Sequence, residues 1–425
     1  MKLNSSLPGF SPLKKAVLLL AWLSVCGLAG PAYGDTTDVI NTVGPGVRYH
    51  HVTITEGPQE INCLEITWPN SRIALKSVLG AGGENGRPES TSDIVRRYRA
   101  AGYRVIGAVN GDYYYLKHTG IPTNLHIQDS QLAVEPIRRS ALVITDQKKL
   151  AIDVFRFRGQ VITGTGRILH LDGYNRVRAS NELILYNQYR GESTRTNGWG
   201  AEIVLRPLRR WLVNDTIPCL VKAKYRKAGN APIPRDGAVL SGHGAAATFL
   251  QKSVDNGDTL KLVLKITPEY GHVVQAIGGG PRILQNGRVS VDKTTSESMM
   301  NHRFFRHPRT AVGFNKDTTR VFLITVDGRS ERSRGMTLAE LARFLRRYFR
   351  IREALNLDGG GSTTMVLGDQ VVNTPSDPEG ERPVGNALVI IQPDTLDGLH
   401  SLLGIPGRNG PAPFQIFLPD VPGGP

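Results

Sequence analysis

The sequence is poor in cysteine, short of acid and nearly without long apolar runs, and each shortage excludes something. Three cysteines occur in 425 residues, too few for a disulfide-stapled scaffold. Two isolated cysteines, Cys63 and Cys219, remain once a leader is removed, and two thiols make no zinc site. In an oxidising compartment they permit one disulfide; the other reading is a pair of buried thiols acting as small hydrophobes. No stretch beyond the first 34 residues is apolar enough to span a bilayer, so the mature chain is expected to be soluble, without a stable membrane span. Arginine and lysine number 52 against 37 acids. That balance raises nucleic acid as a partner, but the arginines are scattered and no zinc-finger, RRM or homeodomain pattern occurs, so none is expected. Outside the cytosol, a basic surface meets anionic envelope polymers or lipid headgroups instead.

The one apolar run lies at the start. Lys14-Lys15 precede Ala16 to Ala29, and Ala32-Tyr33-Gly34 offers small residues before Asp35. This predicts a secretory signal peptide over 1–34 and a periplasmic or secreted protein. The body contains no Ser- or Gly-rich linker. Prolines and glycines gather after Asp394, predicting a surface-covering or disordered tail over 393–425. Short alternating runs predict strands at Leu64–Trp68, Ile73–Val78, Leu183–Tyr186, Ile203–Leu205, Leu260–Leu264 and Val321–Val326. Asp236-Gly237, Asn256-Gly257 and Asn286-Gly287 mark turns between such runs. Two helices are predicted. One runs from about Ser92 to Ala101. The other starts at a Thr337/Glu340 capping box and turns Leu338, Leu341, Ala342, Leu345, Tyr348 and Phe349 inward. Its Arg343, Arg346, Arg347 and Arg350 fall mostly on the opposite face, read as solvated. The expected fold is α+β, a β-rich mixed sheet core with a few helices packed on it and a single catalytic domain. An N-terminal β segment over 35–93 precedes that domain at 94–392.

Both helices lead into the same kind of segment, an apolar strand ending in an Asn/Asp/Gly loop. These are Arg104 to Asp112 and Arg352 to Gly360, and their loops are expected to face each other across one pocket. The second continues as Asp358-Gly359-Gly360-Gly361-Ser362-Thr363. Three glycines in a row cost backbone entropy, and their use is close approach of the main chain to a ligand, with successive N–H groups able to cup an anion. A nucleotide P-loop is excluded, because the Lys-Ser/Thr ending is missing. Arg309 and Arg329 suit bidentate contact with phosphate. Gly278-Gly279-Gly280 is another close-approach loop, and Ser376, Asp377, Arg382 and Asn386 cluster late in the chain. His307 and His243 are read as turn or core histidines rather than acid–base groups.

Together these motifs resemble the phosphodiester glycosidase family, from roughly Ile94 to Ile391. The resemblance rests on Val109-Asn110-Gly111-Asp112, Gly279-Gly280-Pro281, Arg309-Thr310-Ala311-Val312-Gly313, Asp327-Gly328-Arg329, Gly335-Met336-Thr337-Leu338, Asn356–Thr363, and Pro375-Ser376-Asp377 with Arg382-Pro383. After Gly120-Ile121-Pro122 the family pattern expects another glycine, and this chain has Thr123-Asn124. The resemblance implies hydrolysis of a sugar-1-phosphodiester of the N-acetylglucosaminyl type, giving sugar and phosphate monoester. Bacterial members are also associated with exopolysaccharide biosynthesis. The candidate catalytic carboxylates are Asp358, Asp112 and Asp327. Substrate and phosphate contacts are expected from Asn110, Gly280, Arg309, Thr310, Arg329, Asn356, Gly359, Gly360, Gly361, Ser362, Thr363, Ser376, Asp377, Arg382 and Asn386. No cofactor is expected, although a divalent cation between Asp112, Asp358 and phosphate would suit oxygen ligands. The partner is a carbohydrate phosphodiester or an anionic envelope glycan. The rival readings are a non-catalytic protein that binds or helps make an anionic exopolysaccharide, and a metal-dependent phosphodiesterase that cuts P–O.

Overall fold

In a computed structural model, the described residues are 35–393, excepting 71, 84–86, 116–119, 292–296, 298 and 300–302. The expected signal peptide and nearly all of the expected tail lie outside them. No described helix is long and apolar enough to cross a membrane.

Strands dominate, and the balance expected of an α+β fold is corrected to mostly β. Four sheets of eight, eight, five and five strands hold the described residues. Their pairing is almost wholly antiparallel; the exception is Gly173–Tyr174 beside Leu183–Asn187. Each strand-like run foreseen in the sequence lies on a strand, extended at its ends: Gln59–Thr67, Ala74–Leu79, Leu183–Asn187, Gly200–Pro207, Thr259–Thr267 and Arg320–Val326. Only Trp68 and Ile73 fall outside. The Asn286-Gly287 turn has both residues at positive φ, 51° and 71°, as the tight hairpin joining Arg282–Gln285 to Arg288–Val289 requires.

Three α-helices pack on this frame among the described residues. The helix α1 (Thr91–Ala100) is capped by Ser90, whose hydroxyl accepts from the Asp93 amide. The Ala-rich helix α2 (Ala245–Ser253) begins after Gly244; it was not foreseen, because its apolar face is mostly alanine. The helix α3 (Leu338–Tyr348) carries the expected capping box and buries Leu338, Leu341, Ala342, Phe344 and Leu345. At about 0.8 kcal/mol per buried methylene, that face outweighs any single surface contact.

Cys63 and Cys219 are free and buried, in two different hydrophobic clusters. They fill core volume, and the disulfide alternative is set aside. The 35–93 segment is woven into the rest, since Gln59–Thr67 pairs along its length with Arg320–Val326.

Candidate functional site

The site forms where ends of strands from three sheets meet. Arg104–Asn110 belongs to one five-stranded sheet, Glu353–Asn356 to an eight-stranded sheet and Val273–Gly278 to the other five-stranded sheet. Each continues into a glycine-bearing loop, and hydrogen bonds join the loops. The Asp358 amide donates to the Gly111 carbonyl at 2.8 Å, and the Gly280 amide donates to the Asn356 carbonyl at 2.8 Å. Asn110 acts as the fastener. Its Nδ2 donates to the Asp358 carbonyl, and its Oδ1 accepts from the Thr310 hydroxyl at 2.7 Å and the Thr364 amide at 3.1 Å. Both ends of that amide are spent, so Asn110 and Thr310 position the loop.

Asp112 is fully buried. Its Oδ2 accepts from the Asn124 amide at 2.7 Å, and its own amide donates to Asn386 Oδ1 at 2.7 Å. Its Oδ1 is buried without a partner. Gly278 makes this packing possible, because a Cβ there would lie 2.6 Å from Asp112 Oδ2. Burial pushes the Asp112 carboxyl up to about 7; Arg139 and the Asn124 and Tyr113 amides pull it down, and Asp358 pushes it up further. Behind it, Asn386 Nδ2 faces His126 Nδ1 at 3.0 Å. Burial lowers that imidazole to about 3, so it is neutral, accepts at Nδ1 and carries its proton on Nε2.

Asp358 is reached from solvent. Its Oδ1 accepts from the Gly359 amide at 2.9 Å. Desolvation raises it to about 6, against the pull of the Ser362 hydroxyl, the Gly359 amide, Arg382 and Arg139. Two carboxyls whose titrations lie close to neutrality, with Asp358 raising Asp112, are suited to sharing proton transfer.

The glycine triplet does not offer a row of open amides. Gly359 donates to its neighbour's carboxylate, Gly360 to the Pro308 carbonyl, Ser362 to Gly359 and Thr363 to Gly360. What the triplet permits is close packing. A Cβ on Gly361 would overlap both Asp377 and Arg382. Arg382 Nε donates to Asp377 Oδ2 at 2.8 Å, so this ion pair lies directly on the loop backbone. Arg329 reaches over Gly360 and donates to the Ser376 hydroxyl at 3.2 Å. Thr363 and Thr364 hold buried hydroxyls without hydrogen-bond partners. Asn356 Nδ2 serves the Tyr113 hydroxyl and the Gly280 and Leu357 carbonyls, while its buried Oδ1 is unpaired. Unsatisfied buried polar atoms are costly, and here they collect around the two carboxyls.

Two expected members lie off the centre. Arg309 is almost fully buried and donates to the Met336 and Phe305 carbonyls, both at 2.8 Å, so it braces loops. Asp327 has both oxygens engaged, by Asn373 Nδ2 at 3.0 Å and the Thr374 amide at 2.9 Å; Asn373 in turn binds the Thr363 carbonyl. His243 accepts the Asn181 amide in another sheet, and the His307 backbone bridges to Met336. Sequence reasoning missed Arg139, whose guanidinium lies 5.4 Å from the centre of the Tyr113 ring and acts on both carboxyls. It noted Thr123-Asn124 only as a departure from the family pattern, whereas the Asn124 amide holds Asp112. Among the described residues, no group of three or more His, Cys, Asp or Glu could hold a metal ion.

Comparison with known proteins relates part of this arrangement to a family. Residues 218–391 match the phosphodiester glycosidase family. That part of the chain is similar to phosphodiester glycosidases. The matched stretch holds Asp358 and the glycine loop, while Asp112 lies outside it. The mouse N-acetylglucosamine-1-phosphodiester alpha-N-acetylglucosaminidase is 34% identical over 113 residues, 24% of this chain and 21% of that relative. The chain thus spans about a fifth of the length of the curated relative it matches. A hypothetical protein from Synechocystis shares the fold at TM-score 0.66 and 21% identity, covering 84% of this chain and 64% of that one. A supposed exported protein from Burkholderia pseudomallei does so at TM-score 0.59 and 22% identity, covering 79% and 74%.

Proposed function

We propose that the protein hydrolyses a sugar-1-phosphodiester of the N-acetylglucosaminyl type in the periplasm or outside the cell, releasing free sugar and a phosphate monoester. In this reading 94–392 is the catalytic domain, preceded by the β segment 35–93. The observation that carries the reading is the pairing of Asp358 with the buried, half-unsatisfied Asp112 beside Arg139 and Arg382. Near neutral pH Asp358 is mostly ionised, and it takes a proton from water or attacks the anomeric carbon directly. The bond from C1 to the bridging oxygen breaks, and that oxygen leaves with the phosphorus. A phosphate ester is a weak base, so its departure needs cations more than a strong acid. Arg139, Arg329 and Arg382 supply them where the charge develops. Asp112, about half protonated at pH 7, donates a hydrogen bond into the site and keeps the second negative charge away from Asp358. The mouse relative's named activity and the family match support this chemistry.

Incubation with an N-acetylglucosaminyl phosphodiester in oxygen-18 water tests it. The expected result is labelled sugar and unlabelled phosphate monoester. Label in the phosphate, as labelled sugar phosphate or as labelled monoester beside unlabelled sugar, would assign P–O cleavage instead, and tight binding without products would assign a glycan-binding protein.

A further inference from the structure

The face of α3 turned away from the core carries a charge pattern that the catalytic reading does not use. From Leu341 to Arg352 the chain has five arginines and no acid. Arg343, Arg347 and Arg350 are exposed and Arg346 is partly so, spaced i, i+3, i+4 and i+7 along one stripe. The flanking acids are taken, Glu340 by Arg306 and Glu353 by Arg282. Among the described residues, no acid pairs with any arginine of the stripe. Like charges at this spacing destabilise a helix, and the helix dipole offsets this only for those in the last turn. Arg350 adds a second cost. It follows the helix end with φ of 59°, the left-handed position where glycine is the usual terminator. The stripe continues off the helix. Arg346 Nη1 donates to the Gly287 carbonyl and Arg352 Nη2 to the Asn286 carbonyl. There Arg288 and Arg352 line an open cleft of about 590 Å³. Arg352 precedes the strand Glu353–Asn356, which leads into the catalytic loop, and Asn356 lies about 13 Å along the chain from Arg352 at the usual rise per residue.

We propose that this arginine ridge docks a phosphate-bearing polysaccharide, holding repeat units remote from the bond being cut; the inference rests on the phosphodiester reading of the site. Planar guanidinium groups suit repeated phosphate oxygens. No large apolar side chain of the stripe or cleft is exposed, which argues against insertion into a bilayer. The full chain is compared with an Arg343→Ser/Arg347→Ser/Arg350→Gly variant in two arms. In the first, long-chain inorganic polyphosphate is titrated at low and high salt. The wild type binds with strong salt dependence and the variant binds at least about tenfold more weakly. In the second, KM is measured on a polymer linked through N-acetylglucosamine-1-phosphate and on a single-link phosphodiester. The variant raises KM for the polymer alone, leaving kcat and the short substrate untouched. Equal polyphosphate affinity in the two proteins overturns the ridge, as does wild-type preference for phosphatidylglycerol vesicles over either polyanion. Should neither substrate turn over, the catalytic reading fails and the polyphosphate arm still decides the ridge. A melting temperature for the variant no lower than wild type reports that it folds, since glycine relieves the strain at 350.

Discussion

Two buried carboxylates, Glu202 in the large sheet that contains Gly200–Pro207 and Asp112 in the site, show how differently one chemical group can be housed. Both are inaccessible to solvent. Glu202 Oε1 accepts from the Thr194, Thr196 and Ser241 hydroxyls, and its Oε2 from the Ala231 amide. Asp112 has one donor on Oδ2 and none on Oδ1. The first carboxylate is glue: it ties two loops to a strand and has no acceptor capacity left facing empty space. The second is held in place but not satisfied, which costs stability and leaves it able to hold a proton. The sheet that holds Glu202 is arranged to persist, and the site to act.

The largest expected effect breaks the comparison from the acting side. Asp358→Asn keeps shape and removes charge, so turnover of a sugar phosphodiester should fall about a thousandfold or more while the unfolding midpoint does not fall. An Asn protein that folds and retains wild-type kcat removes Asp358 from the reaction. On the persisting side, Glu202→Ala strands three hydroxyls and an amide. It should cost about 4 kcal/mol of stability in denaturant unfolding, with kcat of the folded fraction unchanged. If that variant loses catalysis and keeps its stability, the division between the two regions is wrong.

Asp112→Asn comes next and tests both halves of the contrast at once. In the fold this carboxyl titrates near 7 against an ordinary 3.8. The native state therefore holds a proton that the unfolded chain releases above about pH 4, and stability declines between those values as pH rises. Asparagine removes the decline. The variant should be more stable than wild type by about 4 kcal/mol at pH 8 and equal to it near pH 4, while losing activity. Chemical denaturation at the two pH values measures it, and a variant less stable at pH 8 contradicts the assignment.

The same contrast explains what could be read from sequence. Asp358 and Asp112 stood out because each follows an apolar strand and sits among glycines, a pattern that local chemistry prints directly. The strands were legible from alternation, and α3 from its capping box. Asn124 and Arg139 were not, since each lies in an unremarkable loop and reaches the carboxyls only through the stacking of separate sheets. The anion cup expected of Gly359–Gly361 has two of its three amides engaged, for a related reason. Sequence shows that glycines allow open amides, but not that the Pro308 carbonyl and the Asp358 carboxylate occupy them. Arg309 similarly has the right chemistry for phosphate, and the Met336 and Phe305 carbonyls claim it.

The smallest expected effects concern single hydroxyls, and they separate the regions most finely. Ser241 Oγ donates to Glu202 Oε1 and receives Arg178 Nη1, both at 2.6 Å. Removing it as Ser241→Ala leaves Glu202 with its two threonine hydroxyls and Arg178 with the Gly242 carbonyl. The loss should therefore be about 1 kcal/mol, the net value of one hydrogen bond, and activity should stay put. Thr363 is equally buried, yet its Oγ1 has no partner. Thr363→Val exchanges a desolvated hydroxyl for a methyl of nearly the same size, so stability should hold or rise by about 0.5 kcal/mol. If that hydroxyl is kept for substrate, the price appears only in kcat/KM. A Thr363→Val protein destabilised as much as Ser241→Ala would mean that the hydroxyl already has a partner in the folded chain, and the site would then be another piece of glue.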